Sequence, residues 1–393
     1  MRADYVIIGA GAVGCAIARE LMRRDPANNV IVIEKNDAPG QETSRFNSGV
    51  IHSGIHLPPE FLKAKLASRG SKLTVEYCRR SKVAHDQVGM YIVVAPESTI
   101  GWAEIFSPRK LAAFFKALWS ELVNLKRMLR NAKALGIAIK PITGKTMRRR
   151  EPNVRCLFAI HIPEVYIIDA EGLVRSLELE ARQLGAQFHY NETVLGFDRA
   201  EFVTFVQTER DSYQARVVIN AAGLFATEVA EKAGYDPEDP RYKQSYYRGE
   251  YYEILPESGI QVKALVYPVR KPGKPGLGTH LTPKIDGRLF IGPNAVAAGH
   301  NQDYDADFVP ADRFYEDVKP FLPGLKIGHL RQGYCGIRPK LGNDPKEKDF
   351  SINFDTDGQI PMVNLIGIES PGLTAALAIA EYVANELRAR QLP

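Results

Sequence analysis

Residues 4–24 read DYVIIGAGAVGCAIARELMRR. An apolar run ending at Ile8 meets Gly9, Gly11 and Gly14 in GxGxxG spacing, and a helical pattern follows. Each glycine has its own task. Gly9 permits a tight turn, Gly11 lets a pyrophosphate approach the backbone, and Gly14 lets the helix pack on the strand. The unpaired N–H groups and positive dipole end of that helix then suit the phosphates. A second strand, NVIVIEK (29–35), ends in Glu34 and Lys35. A carboxylate placed there accepts hydrogen bonds from an adenosine ribose and repels a 2′-phosphate. The unit predicts an α/β fold around an adenine dinucleotide with a free 2′-OH, either FAD or NAD.

The next segment separates those two. A nicotinamide domain normally continues into another crossover helix. Here residues 38–56 read APGQETSRFNSGVIHSGIH, turn formers and hydroxyls throughout. Thr43, Ser44, Asn47 and Ser48 offer donors without bulk, suited to a strap along a pyrophosphate and the edge of a large ring system. Two later segments repeat the strand–glycine–helix logic. One is ARVVINAAGLFATEVAEKAG (215–234), with Ala222 and Gly223 at its turn. The other runs from MVNLIGIES through Pro371, Gly372, Leu373 and Thr374 into a helix. A late glycine turn feeding a helix N-terminus suits the edge of a flavin that becomes negative on reduction. FAD is the expected cofactor; an NAD-dependent dehydrogenase and a non-catalytic flavin-binding protein are the distant alternatives.

The chain has 393 residues, long enough for two domains, and a net charge of +5 that does not by itself imply nucleic acid. Its four cysteines are scattered without CxxC spacing, and its eight histidines show no HExxH or HxH pattern, so no metal is expected. There is no room for a signal peptide before the first strand and no long apolar run, which reads as cytoplasmic.

These motifs, with RGEYYEI (248–254), IDGRLFIGPNAV (285–296), GIRPKL (336–341) and GIESPGLTAALAIAE, resemble the FAD-dependent oxidoreductases of the D-amino-acid oxidase and glycerol-3-phosphate dehydrogenase group. The closest likeness is to L-2-hydroxyglutarate dehydrogenases, with GIRPKL and ESPGLT pointing to a sister branch. The resemblance covers nearly the whole chain. It implies a Rossmann-like FAD-binding domain, from about 1–85, 150–235 and 330–393. It also implies a discontinuous, mostly antiparallel-sheet substrate domain, from about 86–149 and 236–329. Val194 and Gly336 join the cofactor residues on the same ground, and an arginine at the position of Arg338 implies a contact to both cofactor and substrate carboxylate.

Oxidising a 2-hydroxy acid requires a carboxylate anchor, an acceptor for the hydroxyl proton, and a C–H directed at the flavin. Arg338 offers a permanently charged donor fork matching a carboxylate. His52, in the strap, titrates near neutral pH and is the expected base. His56 and His280 are further polar contacts, and Arg248, Tyr251 and Tyr267 are expected around the same cavity. The expected reaction is hydride transfer from a small, L-2-hydroxyglutarate-like acid to the flavin. Glycerol 3-phosphate and an amino acid are the rival substrates. The electron acceptor is left open between quinone, oxygen and a partner protein.

Residues 107–136 read as one amphipathic helix, over about 108–135. Leu111, Phe115, Leu118, Leu122, Leu125, Leu129 and Ala132 form the expected inward stripe, and the other face is basic. Such a helix packs a core or lies on an anionic membrane at its inner face.

Overall fold

In the computed structural model the described residues are 1–95, 108–200, 203–269, 278–343, 348–355 and 360–392, with side chains of the long helix described from 118 onward. Two large sheets organise them. The first has a parallel centre in the order Gln187–His189, Val30–Ile33, Arg2–Ile8, Ser212–Asn220, Met362–Ile366. Two antiparallel strands, Val194–Ala200 and Val203–Thr208, extend it from the beginning of Ser212–Asn220. Strand alternation gives the sheet two apolar faces. Ile7, Val32 and Ile219 face the helices Ala12–Arg24 and Gly372–Ala389, while Val6, Ile31 and Val218 face Val194 and Val206. A parallel sheet covered on both sides needs this near-continuous apolar character. The helices Leu62–Ser81 and Gly372–Ala389 meet so closely at Gly70 that a Cβ there would lie 2.8 Å from the Ala375 Cα.

The second sheet is mostly antiparallel and runs Val296–Ala297, Gln244–Ile254, Leu289–Gly292, His280–Pro283, Leu265–Pro268, Met90–Val94, Phe158–Ile162, Lys140–Thr143, with Leu330–Leu341 paired to Gln244–Ile254. Two strands depart from the expected segment boundaries. Phe158–Ile162 pairs with Met90–Val94, and Leu330–Leu341 lies along Gln244–Ile254, so both belong to this sheet. In each case antiparallel hydrogen-bonding partners, rather than sequence neighbourhood, decide the placement.

The long helix, Pro108–Leu135, packs on one face of the second sheet through Leu125, Met128 and Ala132, with Leu118 beside them. The expected stripe is therefore corrected. Leu122 and Leu129 are exposed, and Asn124 and Asn131 occupy the buried seam. Both asparagines have partners: Asn131 donates to the Ile55 carbonyl and Asn124 to that of Ser120. A satisfied amide is tolerated in a seam, and this rotates the stripe by one position. The Leu111 and Phe115 side chains lie outside the described residues.

Between the sheets runs the strap of residues 42–56, which contains only the two-residue strand Val50–Ile51. Several of its polar groups find partners on both sides. Ser44 Oγ accepts from the Ala12 N–H at 3.0 Å, at the start of the first helix. Thr43 donates to the Ile337 carbonyl, and the His52 N–H donates to Thr374 Oγ1 at 3.1 Å. Lys284 Nζ donates to the carbonyls of Asn47 and Ser48, both at 3.0 Å, and to Tyr334 Oη at 2.6 Å. Gly336 lies directly under the Phe46 carbonyl, where a Cβ would overlap that oxygen. Because the obstacle is backbone, no rotamer relieves it. Gly336→Ala is expected to cost about 1–3 kcal/mol by overpacking and to loosen the strap. Thermal unfolding and the fraction of flavin retained after gel filtration check this; unchanged values would show that the strap does not depend on the contact.

Candidate active site

At the carboxyl ends of the parallel strands, where open α/β sheets bind ligands, a cavity of ≈ 460 Å³ opens between the sheets. At one end the Glu34 carboxylate accepts from the Ala10 N–H at 2.8 Å and from the Asn36 N–H at 2.9 Å. Burial pushes its carboxyl up, and these two N–H donors oppose the shift. Lys35, paired with Glu42 at 2.6 Å, lies over the Phe225 ring. The glycine turn is packed to its limit. A Cβ on Gly9, at φ 103°, would lie 2.7 Å from the Ala221 carbonyl, and one on Gly14 would overlap Gly9. Val194, Ala222 and Gly223 complete this end.

The middle of the cavity is bordered by the strap and by the turn that opens the last helix. Thr43, Ser44, Asn47 and Ser48 lie on one side, with Gly372, Leu373 and Thr374 on the other. Asn47 closes the strap on itself, donating to the carbonyls of Thr43 and Ser44 and accepting from the Gly49 N–H. A long channel with a carboxylate at one end, bare glycine backbone beside a helix start, and small hydroxyls along its wall fits FAD as an extended dinucleotide.

The other end gathers Arg338, Tyr251, His52, His56, Tyr267 and His280. Arg338 stands opposite Tyr247 in the ladder, and Gly336 stands opposite Gly249. Its guanidinium lies across the bare Cα of Gly249, where a Cβ would meet Cζ at 2.9 Å. It donates to the Asn294 carbonyl at 3.2 Å and has no carboxylate partner among the described residues. Tyr251 Oη is 2.8 Å from Ser48 Oγ, and its ring stacks on Tyr334 at 4.5 Å. Burial pushes the Tyr251 phenol up, while the neighbouring Arg338 and Ser48 act the other way. Burial also pulls His52 down to about 4 and His280 down to about 3, where His52, His56 and Arg338 add to the effect. Both imidazoles are therefore neutral at physiological pH.

Arg248 is the one expected site residue that the strand directs elsewhere. Tyr247, Gly249 and Tyr251 border the cavity, so the two-residue period turns Arg248 and Glu250 to the opposite face. There the guanidinium pairs with Glu250 at 2.7 Å and donates to the Asp307 carbonyl. The alternation in RGEYYEI was the available signal. Gly249, Lys284 and Tyr334 went unmarked. Nothing in the linear order places Lys284 or Tyr334 against the strap, because those contacts cross between the sheets. Burial pulls the Lys284 ammonium down to about 7, with Asp286 opposing the shift and Arg288 adding to it. Among the described residues no cluster of His, Cys, Asp and Glu could hold a metal ion.

Comparison with known proteins agrees with this geometry. The family model described as FAD dependent oxidoreductase matches residues 4–386. The mitochondrial L-2-hydroxyglutarate dehydrogenase of Arabidopsis thaliana is 33% identical, over 98% of this chain and 83% of that protein. The human mitochondrial L-2-hydroxyglutarate dehydrogenase is 28% identical over 98% and 89%. Among solved structures, the FAD-bound L-alpha-glycerophosphate oxidase of Mycoplasma pneumoniae superposes with a TM-score of 0.83 at 26% identity, covering 99% of this chain and 95% of its own. A glycine oxidase from Geobacillus kaustophilus, at 17% identity and a TM-score of 0.75, shares the fold. With nearly its whole length matched, this chain belongs to the FAD dependent oxidoreductase family.

Proposed function

We propose that the chain oxidises a small 2-hydroxy acid of the L-2-hydroxyglutarate type. The observation that carries the reading is Arg338: a planar guanidinium, seated on glycine in the cavity wall, with no carboxylate partner among the described residues. A guanidinium that lines a cavity without an acid beside it has donors to spare, and a substrate carboxylate would complete it. The dehydrogenase relatives at 28–33% identity support the same substrate class. The FAD-bound glycerophosphate oxidase keeps glycerol 3-phosphate as the second reading, since a phosphate also fits the fork.

FAD, when bound, supplies the hydride acceptor. Gly9, Gly11, Gly14 and Glu34 would hold its adenosine and pyrophosphate; the strap and the turn at Gly372 would hold its ring end. The protein's part is then to fix the carboxylate at Arg338, to exclude water, and to take the hydroxyl proton. His52 and His280, both in the cavity wall beside Arg338 and held uncharged by burial, are the residues we propose for the last task. Arg338→Met is expected to weaken saturation by L-2-hydroxyglutarate roughly 100-fold or more, because charged hydrogen bonds contribute about 1.5–3 kcal/mol each. Arg338→Lys should recover part of that. The concentration dependence of anaerobic flavin reduction gives both numbers, and an unchanged half-saturation would remove Arg338 as the anchor.

We propose that the long helix makes peripheral contact with a membrane, a placement that would suit a lipid-soluble quinone as electron acceptor. No helix of the described residues is long and apolar enough to cross a membrane. Trp119 is 71% and Val123 54% exposed, with Leu122 and Leu129 beside them, among exposed Lys126, Arg127, Arg130 and Lys133. Exposed apolar groups interleaved with cations suit an anionic lipid surface. Flotation with anionic vesicles at low salt should carry the protein up, and Trp119→Ser with Val123→Ser should abolish it. Absence of flotation by the unmodified protein would contradict the assignment.

A further inference from the structure

The strands Leu265–Pro268 and His280–Pro283 are antiparallel neighbours, with Val266 opposite Leu281. Residues next to that pair, Tyr267 and His280, therefore share the other face, the one bordering the cavity. Their rings stack at 3.8 Å and 17°, and His56 lies against Tyr267 at 5.8 Å. Both are buried, Tyr267 fully and His280 at 3% exposure. Yet neither Tyr267 Oη nor His280 Nε2 has a hydrogen-bond partner among the described residues. Two such atoms side by side are rare in a folded protein, and each costs about 1–3 kcal/mol if left unmade.

The hydrogen-bonding character of each atom follows from its surroundings. His280 Nδ1 lies 2.8 Å from the Gly278 carbonyl, which can only accept, so Nδ1 carries the hydrogen. In a neutral ring Nε2 then presents a lone pair, and burial keeps the ring neutral. The Tyr267 phenol is also held protonated by burial, so Oη presents a hydrogen. The cavity wall thus offers a donor and an acceptor together, within the electrostatic reach of Arg338.

We infer that Tyr267 and His280 form the receptor for the substrate's hydroxyl group, Tyr267 donating to its oxygen and His280 Nε2 accepting its hydrogen. This rests on the 2-hydroxy acid reading and names the group in the cavity that recognises the carbinol. A hydroxyl satisfies both atoms at once. A carboxylate would turn lone pairs toward the lone pair of Nε2, and an ammonium has no lone pair for Tyr267. The pair therefore selects an alcohol over a carboxylate or an ammonium at this position, while Arg338 takes the acid next to it. Sites built to bond a polar group discriminate against ligands lacking it, because their own buried atoms are then left unpaired.

The test compares L-2-hydroxyglutarate with glutarate, which lacks the hydroxyl, on FAD-loaded protein. Binding of the first comes from the saturation of anaerobic flavin reduction, and of the second from the shift it produces in the flavin absorbance. The unmodified protein should prefer the hydroxy acid by roughly tenfold or more. Tyr267→Phe, which keeps the stacked ring, should erase most of that preference and leave glutarate binding unchanged. His280→Gln, which also removes a proposed proton acceptor, should lose the same preference, with binding of both acids read from the flavin absorbance shift. Equal loss for both ligands would assign the two residues a structural role and overturn the inference. So would an unmodified protein that shows no preference. If neither acid binds, the 2-hydroxy acid reading fails separately, and the same comparison between glycerol 3-phosphate and propyl phosphate decides whether the pair still reads a hydroxyl.

Discussion

Two glycines facing each other across one ladder set the geometry of the site. Gly249 and Gly336 are direct partners in the antiparallel pairing of Gln244–Ile254 with Leu330–Leu341. Neither can carry a Cβ. The Phe46 carbonyl of the strap rests on Gly336, and the Arg338 guanidinium rests on Gly249. A bare patch of backbone thus lets an irregular segment approach from one side and a charged fork lie flat beside it. Where a sheet elsewhere would present side chains, this one presents space.

The strap follows from the same constraint. An irregular segment enclosed between two sheets carries backbone groups that no ladder satisfies, and burying them unpaired would be costly. Here the first helix, the last helix and the second sheet each supply partners, with Lys284 alone holding two carbonyls and the Tyr334 hydroxyl. The result is a segment fixed well enough to place Ser48 against Tyr251 and His52 in the cavity. Positioning to within fractions of an ångström is what oxidation by hydride transfer demands.

Much of this was legible in the linear sequence because it rests on local rules. The glycine turn, the acidic end of the second strand, the late helix turns and the hydroxyl-rich strap each declare themselves within a few residues. What stayed hidden depends on pairing across the fold. The ladder opposing Gly249 to Gly336 joins residues from separate segments, and Lys284 reaches the strap from a third. Arg248 was misplaced although the strand period could have turned it away. The long helix shows a subtler limit: two apolar stripes one step apart compete, and the seam adopted is the one in which Asn131 reaches the Ile55 carbonyl, Asn124 being satisfied within its own helix. Arg338 and the histidines could be picked by chemical type, but only the folded strands show that Tyr267 and His280 share one face.

We propose that the cavity brings the carbinol of a carboxylate-bearing substrate to a bound flavin. The most direct measurement is the anaerobic absorbance of the FAD-loaded protein as L-2-hydroxyglutarate is added. Loss of the oxidised flavin band on addition of that acid, with no loss on addition of L- or D-amino acids, is the predicted result. A band that persists with hydroxy acids but bleaches with an amino acid would contradict the account, because the site would then be reading an amine.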